Sequence, residues 1–373
     1  MSASRGRPAL ALTSPGRPAA GAEERVWRLA VASAPAWLQR FVDGLVAGGE
    51  VSAVAALVGD RQGVVAGAAA GGARPQRGRS RPLFDLASLS KLWTASLALR
   101  LAVSGRLPLA TRLDEIWPGC DARLAVRSLE DLLRHRAGLR PWTPLYRRCR
   151  RPATVARLLT GGELLGARRG TYSDLDYVLW GLSAERALGR SLADLLREEL
   201  AAPLGLDHGP PPRGGAFWLP CHLGNEREVE LAAAQGIGVA RHRPPDAGRV
   251  QDGNARFLGA PAGHAGVFAT PQAMFALARE WLIPGPLWPA EAAAAALAGP
   301  GPFALGWRRA TRRGSAGPAL GAGAYGHVGF TGGSVWVDPG KGRVLALLAH
   351  RTSVAVDLAP ARRRFHAAAL RGG

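Results

Sequence analysis

The sequence predicts an α/β (α+β) fold in which one layer is built from both chain ends and a helical domain is inserted between them. Three observations predict it: a strand-like hairpin near the start, a long middle stretch of capped helical patterns, and a second hairpin followed by a helix at the end. On this reading residues 1–25 are a disordered tail. Residues 26–84 and 300–373 form the α/β domain, residues 85–299 form the mainly helical domain, and the functional site lies where the two meet. A chain of 373 residues, 47% of them hydrophobic, is long enough to bury a substantial core.

The first 25 residues are rich in Pro, Gly, Ser and Ala and show no amphipathic period, as expected of a tail. Residues 26–36 form a signal-like run interrupted by Arg28, so a cytoplasmic location is expected, with export as the alternative. Leu38, Phe41, Val42 and Leu45 recur at helical spacing over residues 37–47. Residues 51–58 and 63–70 read as strands, and Gly59-Asp60-Arg61-Gln62 as the turn that joins them. A loop rich in Gly, Arg and Pro is expected to run to Pro82. A helix follows over residues 88–104, with Gly105 as its stop. Ser128 with Asp131, and Ser191 with Asp194, read as acidic variants of the capping box. Thr270-Pro271 opens a further helix, with proline at the first helical position. Residues 334–337 and 343–348 flank Asp338-Pro339-Gly340-Lys341-Gly342 as a hairpin, and a last helix starts at Pro360.

The formal net charge of +20 invites a nucleic-acid reading. Its make-up argues otherwise. Of the 48 basic residues 46 are Arg, scattered and not interleaved with aromatics, which fits a compositional background better than a binding stripe. No nucleic-acid partner is therefore expected. Nor does any apolar run approach the ~18 residues that a membrane helix needs. The three cysteines cannot all pair, and none lies in a C-x-x-C, which argues against a disulfide framework or a zinc ribbon. His208, His222, His242, His350 and His366 show no metal-ligand spacing, so no metal and no cofactor are expected.

The sharpest chemical feature is Ser88-Leu89-Ser90-Lys91 at a loop-to-helix junction. With 17 serines and two lysines in the chain, random placement yields about 0.1 such S-x-x-K pairs. On one helical face, a lysine three residues on can reach the serine hydroxyl. Serine is a poor nucleophile until a base takes its proton. Lysine can be that base if burial and neighbouring cations favour its neutral form, whereas arginine cannot. Tyr172-Ser173-Asp174 forms a second candidate group: Tyr172 could share the proton with Lys91, while Asp174 by itself reads most simply as a helix N-cap. The third is residues 326–332, which include His327, Gly329 and Phe330 and lie immediately before a strand. Glycines there allow a close backbone approach, and strand N–H groups can supply an oxyanion donor.

Together, and in this order, the three segments resemble the penicillin-recognising serine hydrolases, and more specifically the class C β-lactamase-like group of β-lactamases, DD-peptidases, esterases and transacylases. Residues 132–139 (LLRHRAGL) are similar to that group's LLTHTSGL, and residues 203–206 to its PLGM. Residues 263–270 and 325–339 are closer still, so the resemblance spans about residues 37–370. It implies an antiparallel sheet flanked by helices, with an inserted helical domain. It further implies Ser88 as the acylated nucleophile, Lys91 as its proton partner and Tyr172 as a second acid/base. Asp174 stands where the group usually carries Asn, and His327 where true β-lactamases carry the Lys of K-T-G. The backbone N–H groups of Ser88 and Phe330 would form the oxyanion hole.

Two departures shape the functional expectation. Histidine at 327 removes a permanent cation for a substrate carboxylate. Aspartate at 174 adds a charge that would repel such a carboxylate and raise the pKa of Lys91. Both favour an esterase-like or peptidase-like hydrolase, acting on a small ester, amide or peptide, over efficient β-lactam turnover. Position 136 departs too, with Arg136-Ala137 in place of Thr-Ser, and reads as a structural turn. A non-catalytic binding protein on the same scaffold is the alternative from a different class.

Overall fold

The computed structural model describes residues 34–76, 79, 81–206 and 216–371. The expected tail at residues 1–25, most of the signal-like run and His208 lie outside the described residues. The main sheet has six strands in the order β2 (Val64–Gly71), β1 (Val51–Gly59), β9 (Arg343–Arg351), β8 (Gly332–Asp338), β7 (Tyr325–Val328) and β6 (Arg308–Arg309). Every neighbouring pair in it is antiparallel. The two hairpins expected from the sequence thus meet through β1 and β9, which pair from Val51↔Arg351 to Gly59↔Val344. Asp60 caps the first hairpin by accepting the Gln62 N–H at 2.8 Å.

The period-2 alternation of side chains sorts these strands onto two covered faces. Val54, Ala56 and Val58 of β1, with Trp336, Leu345 and Leu347, face the helices Ala36–Ala47 and Ala359–Arg371. Ala55 and Leu57, with Val335, Val337 and Leu348, face the opposite core, which includes the Pro271–Leu282 helix and the central helices Ser90–Val103 and Asp174–Leu188. With both faces covered, the middle of β1 is buried without interruption. Although it lies within residues 85–299, the Pro271–Leu282 helix packs on β1, β8 and β9.

The caps read from the sequence explain where several helices begin. Ser128 accepts the Asp131 N–H and Asp131 accepts the Ser128 N–H in return, closing a capping box with Asp in place of the usual Glu. Ser191 accepts the Asp194 N–H, and Thr270 caps the helix whose first residue is Pro271. The expected loop to Pro82 is partly wrong, because Arg81–Asp85 forms strand β3. It is the middle strand of a second, three-stranded sheet. Residues 81–83 pair in parallel with β4 (Ala216–Trp218), and residues 84–85 pair antiparallel with β5 (Phe268–Ala269). Pro82 therefore has a strand partner on one side only, which a residue without an N–H tolerates.

Phe365 is fully buried and stacks on Phe41 at 5.7 Å between ring centroids, pinning the C-terminal helix to the Ala36–Ala47 helix and the sheet. Phe365→Ala is expected to cost about 3–5 kcal/mol in denaturant unfolding. Val126→Ala, at a position 59% exposed, should change stability by no more than about 0.5 kcal/mol. Equal effects of the two substitutions would show that the C-terminal helix is not anchored through Phe365.

Candidate active site

The S-x-x-K segment does not open an α-helix as expected. Residues Ala87–Leu89 make a 3-10 turn, and the α-helix starts at Ser90. Ala87 has φ +44°, a left-handed conformation that L residues rarely adopt, so the turn presenting Ser88 is strained. Several bonds hold it. Asp85 Oδ1 accepts the Ala87 N–H at 2.9 Å, and Asp85 Oδ2 accepts the Gln251 N–H at 2.7 Å. The Asp85 N–H donates to His350 Nε2 at 3.1 Å, and the Thr331 hydroxyl donates to Asp85 O at 2.8 Å. One buried aspartate thus joins the Ser88 turn, the main sheet and the loop that follows Phe330.

That loop lies against the turn. A Cβ on Gly329 would sit 2.7 Å from Leu86 O, so only glycine permits this approach. The Arg362 guanidinium donates to Gly332 O at 2.8 Å, to Gly333 O at 3.1 Å and to Gly329 O at 3.3 Å, which fixes the backbone on both sides of Phe330. The Arg351 guanidinium lies 4.4 Å above the Phe330 ring. His327 and Val328 belong to strand β7 itself, where the sequence placed them immediately before a strand.

Ser88, Tyr172, His327, Gly329 and Phe330 all line one cavity of about 290 Å³, together with Arg308, Arg351 and Arg362. Lys91 and Asp174 stand directly behind it. Lys91 is fully buried on the Ser90–Val103 helix. Its ammonium donates to Ser88 Oγ at 3.1 Å, to Asp174 Oδ1 at 2.7 Å and to His264 O at 3.1 Å, and lies 4.9 Å from the Tyr172 ring centroid. All seven residues singled out in the sequence are thereby brought together.

The charge state of Lys91 differs from what a free base needs. Burial, the largest single influence, pushes its pKa down, but Asp174 and Tyr172 together outweigh it and hold it above the usual lysine value. Lys91 therefore rests as an ammonium. Burial pushes the Tyr172 hydroxyl above its usual value, against the pull of Lys91, so the tyrosine rests neutral. Asp174 is not the N-cap of its helix: Ser173 is, accepting the Asp176 N–H, and this leaves the Asp174 carboxylate free for Lys91. His327 is driven down to about 3 by burial and then by Lys91 and Arg308, so it is neutral. Its Nδ1 lies 2.9 Å from Val328 O and carries the proton, which leaves the Nε2 lone pair as an acceptor.

Sequence reasoning missed some of the supporting residues. His135, expected to sit in a purely structural turn, does have a left-handed backbone (φ +56°). Its ring also packs 4.7 Å from Tyr172, and its Nδ1 accepts the Ser173 N–H at 3.1 Å, which orients the segment carrying Tyr172 and Asp174. His264 is buried with Nε2 3.0 Å from Asp252 Oδ1, and its backbone carbonyl grips Lys91. The GHAG segment holding His264 was visible in the sequence, but its partner Asp252 carries no local signal. Among the described residues no group of three or more His, Cys, Asp or Glu is placed to hold a metal ion. No described helix is long and apolar enough to cross a membrane.

His350 connects this site to fold stability. Its Nδ1 donates to Pro220 O at 2.9 Å, and burial lowers its pKa to about 4. A depressed histidine contributes stability in full above its unfolded value of about 6.5, and loses it as pH falls through the folded value. The difference in unfolding free energy between the wild type and His350→Gln should therefore narrow between pH 6.5 and pH 4, measured by denaturant titration. A difference that stays constant across that window would contradict this assignment.

Comparison with known proteins agrees with this geometry. The Beta-lactamase family profile matches residues 38–369. An N-acetylmuramyl-L-alanine amidase of Bacillus subtilis is 28% identical over 319 residues, 74% of this chain and 70% of the relative. In fold, the chain is similar to a penicillin-binding protein homolog from Caulobacter crescentus, with TM-score 0.64 and 22% identity over 90% of this chain and 98% of that one. It is also similar to a family VIII carboxylesterase, with TM-score 0.62 and 18% identity over 91% and 98% of the two chains.

Proposed function

The chain belongs to the beta-lactamase family, and we propose that this serine hydrolase cleaves a small ester or amide through an acyl-enzyme on Ser88. The observation that carries this reading is Lys91 Nζ, placed 3.1 Å from Ser88 Oγ and 2.7 Å from Asp174 Oδ1 at the back of the cavity.

Because Lys91 rests as an ammonium, it cannot simply accept the serine proton. Ser88 Oγ instead bonds to the acyl carbonyl carbon as its proton passes to Lys91 Nζ, and Lys91 gives one of its own protons to Asp174 Oδ1. Lys91 keeps its charge throughout, and Asp174 holds the proton. The tetrahedral oxyanion accepts from the backbone N–H groups of Ser88 and Phe330. When the carbonyl re-forms, the bond to the leaving alcohol or amine breaks and the leaving atom takes the Tyr172 proton. Tyr172 recovers a proton from Lys91, which is resupplied from Asp174. Water then attacks the acyl carbon, its proton passes by way of Tyr172 and Lys91 to Ser88 Oγ as the bond between Oγ and the acyl carbon breaks, and the acid departs.

The cavity wall favours an ester or a peptide-like amide over a β-lactam. His327 supplies a neutral acceptor where a β-lactamase has a cation. Arg362 is occupied by carbonyls, and Arg351 by Val354 O, Val356 O and the Phe330 ring. The charge of Asp174 is matched by Lys91 and so repels a substrate carboxylate less than the sequence suggests. Arg308, stacked 5.8 Å from Tyr172, is a cation still able to meet a substrate carboxylate, which favours a peptidase-like amide as the second reading.

A fluorophosphonate probe should label the wild type and leave Ser88→Ala unlabelled; labelling that does not depend on Ser88 overturns the reading. Turnover of a short-chain p-nitrophenyl ester should exceed that of a chromogenic cephalosporin, and rapid cephalosporin hydrolysis would reverse the weight placed on His327. An amine keeps its proton to a higher pH than a carboxylate does. Asp174→Asn, which leaves Lys91 as the terminal acceptor, is therefore expected to move the acidic limb of kcat/KM to higher pH. An unmoved limb would remove Asp174 from the proton path.

A further inference from the structure

We propose that a second cavity, of about 310 Å³ and lined by Arg134, Arg136 and Arg169, is a subsite for an oxyanion, carboxylate or phosphate, carried on the substrate away from the bond that is cleaved. Gly170, Phe303 and the Pro300–Pro302 backbone complete its wall, and no acidic side chain lines it. The substrate role rests on the Ser88 hydrolase reading; the anion binding itself does not.

Part of the charge of this cavity is left unspent: Arg136 meets no carboxylate and Arg169 only a distant one. Arg134 is buried and fixed, donating to Glu130 at 2.7 Å, to Ala298 O at 2.9 Å and to Ala296 O at 3.0 Å. Arg136 donates from one Nη to Pro300 O at 3.0 Å. Arg169 reaches Asp131 only at 3.5 Å and is 59% exposed. Arg309 takes up further carbonyls of the same loop, donating to Leu297 O and Gly299 O, both at 2.7 Å, and to Gly301 O at 3.1 Å. Carbonyl oxygens that would repel an anion thus already face guanidinium donors. Four guanidinium groups around this loop are met by two carboxylates, Glu130 and Asp131. A planar guanidinium with free N–H groups suits an oxyanion better than any other side chain does.

The cavity also adjoins the reaction centre. Phe303 packs 5.9 Å from the Tyr172 ring, and Tyr172 lines the cavity that holds Ser88. Gly170 stands two residues before Tyr172, and Arg308 lies 5.4 Å from the Phe303 ring on the catalytic side. The two cavities are therefore lined by neighbouring rings, Phe303 in one and Tyr172 in the other. Arg136 occupies the position where the resembling motif carries Thr, so this cation belongs to the present chain's own chemistry.

Two measurements test the proposal. In the first, inorganic phosphate is titrated by calorimetry into the full chain and into the double variant Arg136→Gln/Arg169→Gln, with Ser88→Ala in parallel. Phosphate should bind the wild type and Ser88→Ala equally, and the double variant at least roughly tenfold more weakly, as expected for loss of charge-assisted bonds. Failure of phosphate to bind the wild type, or equal binding by the double variant, overturns the site. In the second, p-nitrophenyl esters of dicarboxylic acids of increasing chain length are compared with neutral esters of the same length. One chain length should show a lower KM than its neutral counterpart. The double variant should erase that advantage while kcat, and turnover of the neutral ester, stay unchanged. Phosphate binding without any chain-length effect would overturn the substrate role. If no ester is turned over yet phosphate binds through Arg136 and Arg169, the Ser88 reading fails and the anion site stands.

Discussion

The buried ion pair between Lys91 and Asp174 is the constraint on which the site depends. A lysine with no exposed surface would lose its charge without a partner, and an aspartate beside it would be costly without a cation. At 2.7 Å each makes the other tolerable. The pair fixes where Lys91 Nζ sits, and therefore its 3.1 Å contact with Ser88. It also fixes the charge state. Burial pulls the amine toward its neutral form, and Asp174 together with Tyr172 reverses that pull. Proton transfer from Ser88 must therefore run through Lys91 to Asp174 rather than stop at the lysine.

The surrounding fold serves to hold that pair and the serine in register. Asp85 and His350 secure the strained turn at Ala87, which puts the nucleophile at the end of a buried strand. Gly329 lets the β7–β8 connection lie against the same turn, and Arg362 ties its carbonyls down from the C-terminal helix. Thr94 donates to Gly263 O at 2.7 Å and Lys91 to His264 O, so the helix carrying Lys91 is gripped by the loop before β5. Residues from positions 85 to 362 thus converge on a few ångströms of backbone. Such a site is assembled from packed elements, as catalytic preorganisation requires.

Much of this was legible in the sequence. Short, nearly continuous apolar runs announced β1, β2 and the closing hairpin, because a sheet covered on both faces buries whole strands. Local chemistry announced the caps at Ser128, Ser191 and Thr270, and likewise the Ser88–Lys91 pair, since a three-residue spacing is itself the geometry. What could not be read locally depended on distant partners. Strand β3 contains a proline and exists because it is paired by residues 216–218 and 268–269. Asp174 read as a helix cap because nothing near it in sequence reveals that Ser173 takes that role and that Lys91 lies 2.7 Å away. The Asp252–His264 contact and the packing of His135 on Tyr172 likewise join segments far apart in the chain.

The central claim is that Lys91 is a charged relay and not a neutral base. With only two lysines in the chain, Lys91 and Lys341, selective 15N-lysine labelling yields two side-chain signals, with the exposed Lys341 as an internal reference. The Lys91 Nζ resonance should keep its ammonium shift from pH 5 to pH 9 in the resting enzyme. A transition to the neutral amine shift within that range would contradict the account.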